Sequence, residues 1–233
     1  MTLLRTIAAA GLVLATGTAS VHVARAAPQV ERLRGTIERV EADAVTIRTR
    51  AGTAETVRLG PGTRVGQLVP ASLDQVREGS FIGTAAKAGP APGDPPVALE
   101  VLIFPEAMRG AGEGHHPWDR LPDGSGGPVE TSMTNGTVRG PEVETSMTNG
   151  TVAGGPGISG GAAAGGGRTI TVTYQGRSLA VSVPPGTPVV ALEPADRMVL
   201  VPGAKVFASA IRDGDRLEAR SVSVGKDGLT PPM

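Results

Sequence analysis

The stretch PGTRV at residues 61–65 returns as PGTPV at residues 185–189, an offset of 124 positions. The same offset carries Val57 and Leu59 onto Val181 and Val183, Gly79 onto Gly203, Ile82 onto Val206 and Ala86 onto Ala210. At slightly smaller offsets, Arg34-Gly35-Thr36-Ile37 is matched by Asn149-Gly150-Thr151-Val152, and Val101 and Ile103 by Val222 and Val224. Apolar positions stay in step while the offset drifts only in loops, which is the pattern of one structural unit written twice.

The unit reads as β structure. LRGTIERV (33–40), AVTIRTR (44–50) and ETVRL (55–59) alternate apolar and polar residues, as half-buried strands do. SFIGTAA (80–86) and VALEVLIF (97–104) add further strands, and ASLDQV (71–76) offers one or two helical turns. The Pro-Gly-Thr pieces at 61–63 and 185–187 are expected to be turns in which glycine takes a positive φ. Five or six short strands and a small helix suit an OB-like barrel, which hides its edges by closing, with a small sandwich as the main rival. The expected fold is therefore all-β, with two tandem small OB-like barrels joined by a Pro/Gly-rich connector. The divisions are residues 27–104 for the first domain, 105–142 for the connector, 143–228 for the second domain with a flexible Gly-rich loop at 153–167, and 229–233 for a tail.

A shorter repeat lies between the units. VETSMTNGTV occurs at 129–138 and again at 143–152. The domain alignment assigns the later copy to the first strand of the second barrel and leaves the earlier one as a redundant insertion. Asn-Gly in each copy is a favoured turn pair and reads as a turn entering a strand.

The N-terminus has the layout of a secretory signal peptide: a basic residue at Arg5, an apolar run from Ile7 to Ala19, and Ala24-Arg25-Ala26 as an A-x-A cleavage site. Residues 1–26 are thus expected to be removed and the protein to be periplasmic or secreted. No later segment is apolar over the length a membrane helix needs. The chain has no cysteine, so disulfides and thiolate metal sites are excluded.

After cleavage the net charge is −2, which gives no reason to expect nucleic acid as a partner. Single-strand binding also needs stacking platforms along a basic groove. The whole chain offers Phe81, Phe104, Trp118, Tyr174 and Phe207, most of them expected to serve the two cores. No nucleophile elbow, phosphate loop or zinc-protease helix is present, so the reading is non-enzymatic.

GEGHHPWD at 112–119 is the densest cluster of reactive side chains. Glu113, His115, His116 and Asp119, with Glu106 and Met108 upstream, supply donors suited to a divalent metal or copper. Against that, Trp118 after Pro117 can dock as an apolar anchor, and with Met108 form an interaction surface that clasps the two domains. Met198 reads as core filler and Met233 as part of the tail.

Taken together, FPEAMRGAGEGHHPWD (104–119), RGTIERV (34–40) before it, SMTNGTV after it and VGKDG (224–228) near the end resemble a secreted bacterial family of tandem OB-like domains of unknown function. Some members are labelled metal-transporter permease, a label at odds with a chain that has no long apolar span after its leader. The resemblance implies the signal peptide, two β-domains and an ordered connector, and no established activity. The doubled VETSMTNGTV and the Gly-rich stretch depart from the pattern. The functional expectation is a non-enzymatic binding or structural module of the cell envelope, with an envelope protein or glycan as partner and no cofactor. The alternative is a periplasmic metal-binding accessory protein acting through His115 and His116.

Overall fold

The computed structural model describes residues 29–122, 128–139 and 167–232. The expected leader, the later VETSMTNGTV copy and residues 153–166 of the Gly-rich stretch lie outside them, as does Met233.

The described chain is all-β. Its strands are β1 (Gln29–Val40), β2 (Ala44–Thr49), β3 (Ala54–Arg58), β4 (Arg64–Pro70), β5 (Phe81–Lys87), β6 (Val97–Ile103), β7 (Gly114–Pro117), β8 (Leu121–Pro122), β9 (Pro128–Val129), β10 (Ser132–Arg139), β11 (Arg168–Tyr174), β12 (Arg177–Val183), β13 (Val189–Pro194), β14 (Lys205–Asp213) and β15 (Arg216–Gly225). Helical structure among the described residues is confined to three-residue 3-10 turns, one of them Leu73–Gln75 in the expected ASLDQV segment. No helix there is long and apolar enough to cross a membrane.

Thirteen strands share one large sheet, and β8 and β9 form a separate pair. Within the large sheet the pairings close twice. One circuit runs β1–β2–β3–β15–β14 and back to β1; the other runs β10–β11–β12–β6–β5 and back to β10. Each circuit therefore takes three strands from one repeat and a hairpin from the other. Tandem closure of 27–104 and 143–228 would pair strands within each stretch; instead the hairpins β5–β6 and β14–β15 are exchanged. The reason lies in β4 and β13. They pair antiparallel with each other, while β4 runs parallel to β15 and β13 parallel to β6, so the two strands bridge the circuits and carry the chain from one to the other.

The duplication is legible in the registers. Gly35 faces Val206 and Gly136 faces Ile82, and Val206 and Ile82 are themselves 124 apart. The β5–β6 ladder slips between Ala85 and Ala86, and the β14–β15 ladder slips at Ser209 and Ala210, the same offset again. Such bulges bend and twist a strand, which helps a short sheet curl back on itself.

These registers correct the reading of the short repeat. The earlier copy is no insertion: its residues Ser132–Val138 lie in β10, paired with β5, β7 and β11. The Asn135-Gly136 pair runs inside that strand and makes no turn. Glycine is required there because a Cβ would sit 2.3 Å from the Thr173 carbonyl oxygen, and at Gly35 a Cβ would sit 1.9 Å from that of Arg48. Of the two Pro-Gly-Thr turns, Gly186 has the expected positive φ of 81°, while Gly62 does not adopt one.

Three apolar clusters fill the molecule. One draws on β1, β2, β3, β14 and β15, including Leu33, Ile47, Val57, Val206 and Val222. The second draws on β5, β6, β10, β11 and β12, including Ile82, Val101, Val138, Val172 and Val181. Neither of these two clusters contains an aromatic residue, although Phe81, Tyr174 and Phe207 are buried. Valine, isoleucine, leucine and alanine pack both interiors, and Met198, expected in a core, is 81% exposed. The third cluster sits at the seam, with Leu68, Ala85, Leu102, Met133, Val190 and Phe207 buried and Phe104, Trp118 and Leu229 packed against them.

Candidate functional site

Strand alternation decides what GEGHHPWD can do. Residues 114–117 form β7, which adds to β10 with His115 opposite Thr134 and His116 opposite Met133. Successive side chains of a strand point to opposite faces. His115 turns to one side, where its Nδ1 shares a hydrogen bond with the Thr134 hydroxyl at 2.9 Å and its ring stacks on Tyr174. His116 turns to the other and lines the seam.

The two carboxylates go elsewhere. The backbone N–H of Gln175 donates to Glu113 Oε1 at 2.8 Å. Asp119 accepts from Arg32 Nη1 at 3.1 Å and from Arg34 Nη1 at 2.6 Å. The four residues expected to share a metal thus have four different surroundings. Among the described residues, no group of three or more His, Asp or Glu is placed to hold one.

Trp118 and Met108, expected as an interaction surface, line one and the same cleft. The Trp118 N–H of the backbone donates to Thr131, and the indole packs between the Arg32 guanidinium, 3.8 Å from the ring centroid, and Phe207 at 6.4 Å. A cation over an indole face is held by the ring quadrupole. Because Arg32 also pairs with Asp119, one arginine of β1 grips two consecutive residues of the connector. Arg34 repeats the grip beside it, paired with Asp119 and lying 5.0 Å from the Phe207 ring. The connector is therefore fastened to both circuits: by β7 to β10 and by Trp118-Asp119 to β1 and β14.

Between these fastenings lies a cleft of about 310 Å³. Phe104, Trp118, Phe207, Met108, Met133 and Leu192 supply much of its apolar wall, so three of the chain's five aromatic residues meet at one place. The polar lining comes from Arg32, Arg64, His116, Asn135 and three serines, and includes no Asp or Glu. The Asn135 amide donates to the Gly112 carbonyl at 3.2 Å, which holds the loop that walls one end. Trp118 Nε1 is shut off from solvent without a hydrogen-bond partner.

Behind the seam Glu100 is buried on β6. Burial pushes its carboxyl up to about 8, against the opposing pull of Arg34 and Arg50. The Arg34 Nε and Nη2 and Glu100 Oε1 are buried without hydrogen-bond partners. On the outer loop, the hydrogen bond from Arg109 lowers the Glu106 carboxyl. Arg109 also donates to the Thr137 hydroxyl and the Gly79 carbonyl, tying the connector's start to β10.

Arg32, Arg34, Arg64, Phe207 and Glu100 were not among the expected site residues. Glu100 carried a readable signal, a lone carboxylate inside the apolar run VALEVLIF. The others come from strands far apart in sequence. Comparison with protein-family models, with curated proteins and with solved structures finds no match to this chain.

Proposed function

We propose that this protein is a non-enzymatic binding module of the bacterial cell envelope, exported by its N-terminal leader, in which two OB-like five-strand barrels frame a binding cleft at their seam. The observation that carries this reading is the gathering of Phe104, Trp118 and Phe207 around one cleft at the seam, while neither apolar cluster of the two circuits includes an aromatic ring. An apolar concavity with a few placed polar groups is the usual form of a ligand site. The connector serves as the clasp that builds it, since Trp118 is at once a fastening and a wall. The metal-binding alternative is the weaker one, because β7 directs His115 and His116 to opposite faces.

The test uses the only tryptophan in the chain as the reporter. Octanol added to the purified protein is expected to shift Trp118 emission saturably, and Ser209→Phe, which fills the cleft from β14, is expected to abolish the shift. An unsaturable response, or one indifferent to Ser209→Phe, overturns the reading. Calorimetric titration with zinc, nickel and cuprous ion, beside the His115→Ala/His116→Ala variant, separates the alternative; binding that the variant loses would favour it.

A further inference from the structure

We propose that the seam cleft selects anionic amphiphiles: molecules with an apolar body and a single negatively charged head, carboxylate or phosphate. The proposal rests on the cleft being the binding site and goes on to name what enters it.

The cleft sets positive charge against an apolar wall. Over the whole chain acidic and basic residues balance, 22 against 22. The cleft departs from that balance, since two arginines and a histidine line it and no carboxylate does. Asp119 is held behind the wall, where Arg32 and Arg34 share its single charge. Arg64 is exposed on β4 at the rim and has no ion-pair partner among the described residues. A ligand anion can pair with this rim cation without breaking an existing ion pair, whereas along the cleft lining a ligand cation would meet like charge. A guanidinium also suits the planar, two-oxygen face of a carboxylate or phosphate. The body of such a ligand would lie against Phe104, Phe207 and Met108, and its head at Arg64.

Placement by the fold supports a single head rather than several. Arg64 stands opposite Ser221 in the β4–β15 ladder, and Ser209 and Ser223 line the same wall. Hydroxyls can donate to an anion without adding charge, so one negative group is matched by one unpaired arginine. Glycans, with many hydroxyls and little apolar surface, fit this wall poorly.

The experiment titrates the protein with octanoate, octanol and octylammonium, which share a chain and differ in head charge, reading Trp118 emission. Octanoate is expected to bind about tenfold more tightly than octanol, with octylammonium the weakest. Arg64→Ala should bring octanoate down to the level of octanol and leave octanol unchanged, and added salt should narrow the gap. Equal affinity for all three overturns the selectivity while sparing the cleft as a site. Failure of all three overturns both. Octyl phosphate tested beside octanoate distinguishes the two head chemistries: a preference retained with either, and lost in Arg64→Ala, supports the proposal, and a preference that survives Arg64→Ala overturns it.

Discussion

Leu68 stands opposite Leu192 in the β4–β13 ladder, and the two are 124 positions apart, so each is the other's counterpart in the duplicated unit. The pseudo-twofold axis relating the repeats therefore passes through this pair. Leu68 is fully buried, and truncating it leaves a hole at the point where the two circuits are joined. Leu68→Ala is expected to lower unfolding free energy by about 3 kcal/mol in urea titrations. Because the exchanged hairpins make each circuit depend on both repeats, one cooperative transition is expected rather than two.

The same exchange predicts how fragments behave. A fragment ending at residue 110 retains β1, β2 and β3 but lacks the β14–β15 hairpin that closes their circuit. Neither that fragment nor the remainder should show a cooperative thermal transition alone, and mixing them should restore one. A well-folded monomeric first fragment would contradict the exchange.

Trp118 and Asp119 should matter more than the histidines. Trp118→Ala removes the packing on Phe207 and the platform under Arg32 and is expected to cost about 2–3 kcal/mol. Asp119→Asn leaves Arg32 and Arg34 without their shared carboxylate and is expected to cost about 2 kcal/mol. His115→Ala forfeits one hydroxyl hydrogen bond and a partly exposed stack, for about 1 kcal/mol or less. Chemical unfolding of the three variants ranks them.

Glu100 makes stability depend on pH. Its carboxyl titrates near the ordinary 4.5 when unfolded and at about 8 when folded. A raised value means that the folded state holds the proton more tightly, so its contribution is complete below 4.5 and is lost as pH rises through 8. The loss is at most on the order of 5 kcal/mol. Glu100→Gln should flatten the profile between those limits and make the protein more stable than the parent at pH 9, as thermal melts across pH would register.

Close strand approach gives a further expectation. Gly35→Ala should destabilise by several kcal/mol, on the order of an overpacked core site, since the new Cβ meets a backbone carbonyl that cannot move aside. The counterpart at Gly136 is best changed together with Gly150, because the same residues recur at 149–151. Loss of the melting transition in the paired variant, at a temperature where the parent is folded, is the expected result.

How far the sequence foretold this differs from level to level. Val45, Ile47, Val181 and Val183 alternate cleanly with polar neighbours, so the strands and the duplication were legible. The exchange was not. Alternation tells which face a residue takes, and says nothing of which strand lies beside it; two repeats with the same pattern close equally well on themselves or on each other. The strands that settle the matter, β4 and β13, carry Gly66, Pro70 and Pro194 and give a weak signal. At the site, Met108 and Trp118 were legible as apolar residues in a polar connector. The four candidate metal ligands, close in sequence, are spread apart because β7 sends its two histidines to opposite faces. Arg32, Arg64 and Phe207 reach the cleft only through pairings between strands remote in the chain.

The β1–β14 ladder sets an order of events during synthesis. Gln29 pairs with Arg212, so nearly the whole chain must exist before the first strand acquires its neighbour. Contacts this remote in sequence make folding slow. A ribosome releasing this chain would leave the β1–β2–β3 circuit open until the last hairpin emerges, so its closure belongs to the end of synthesis.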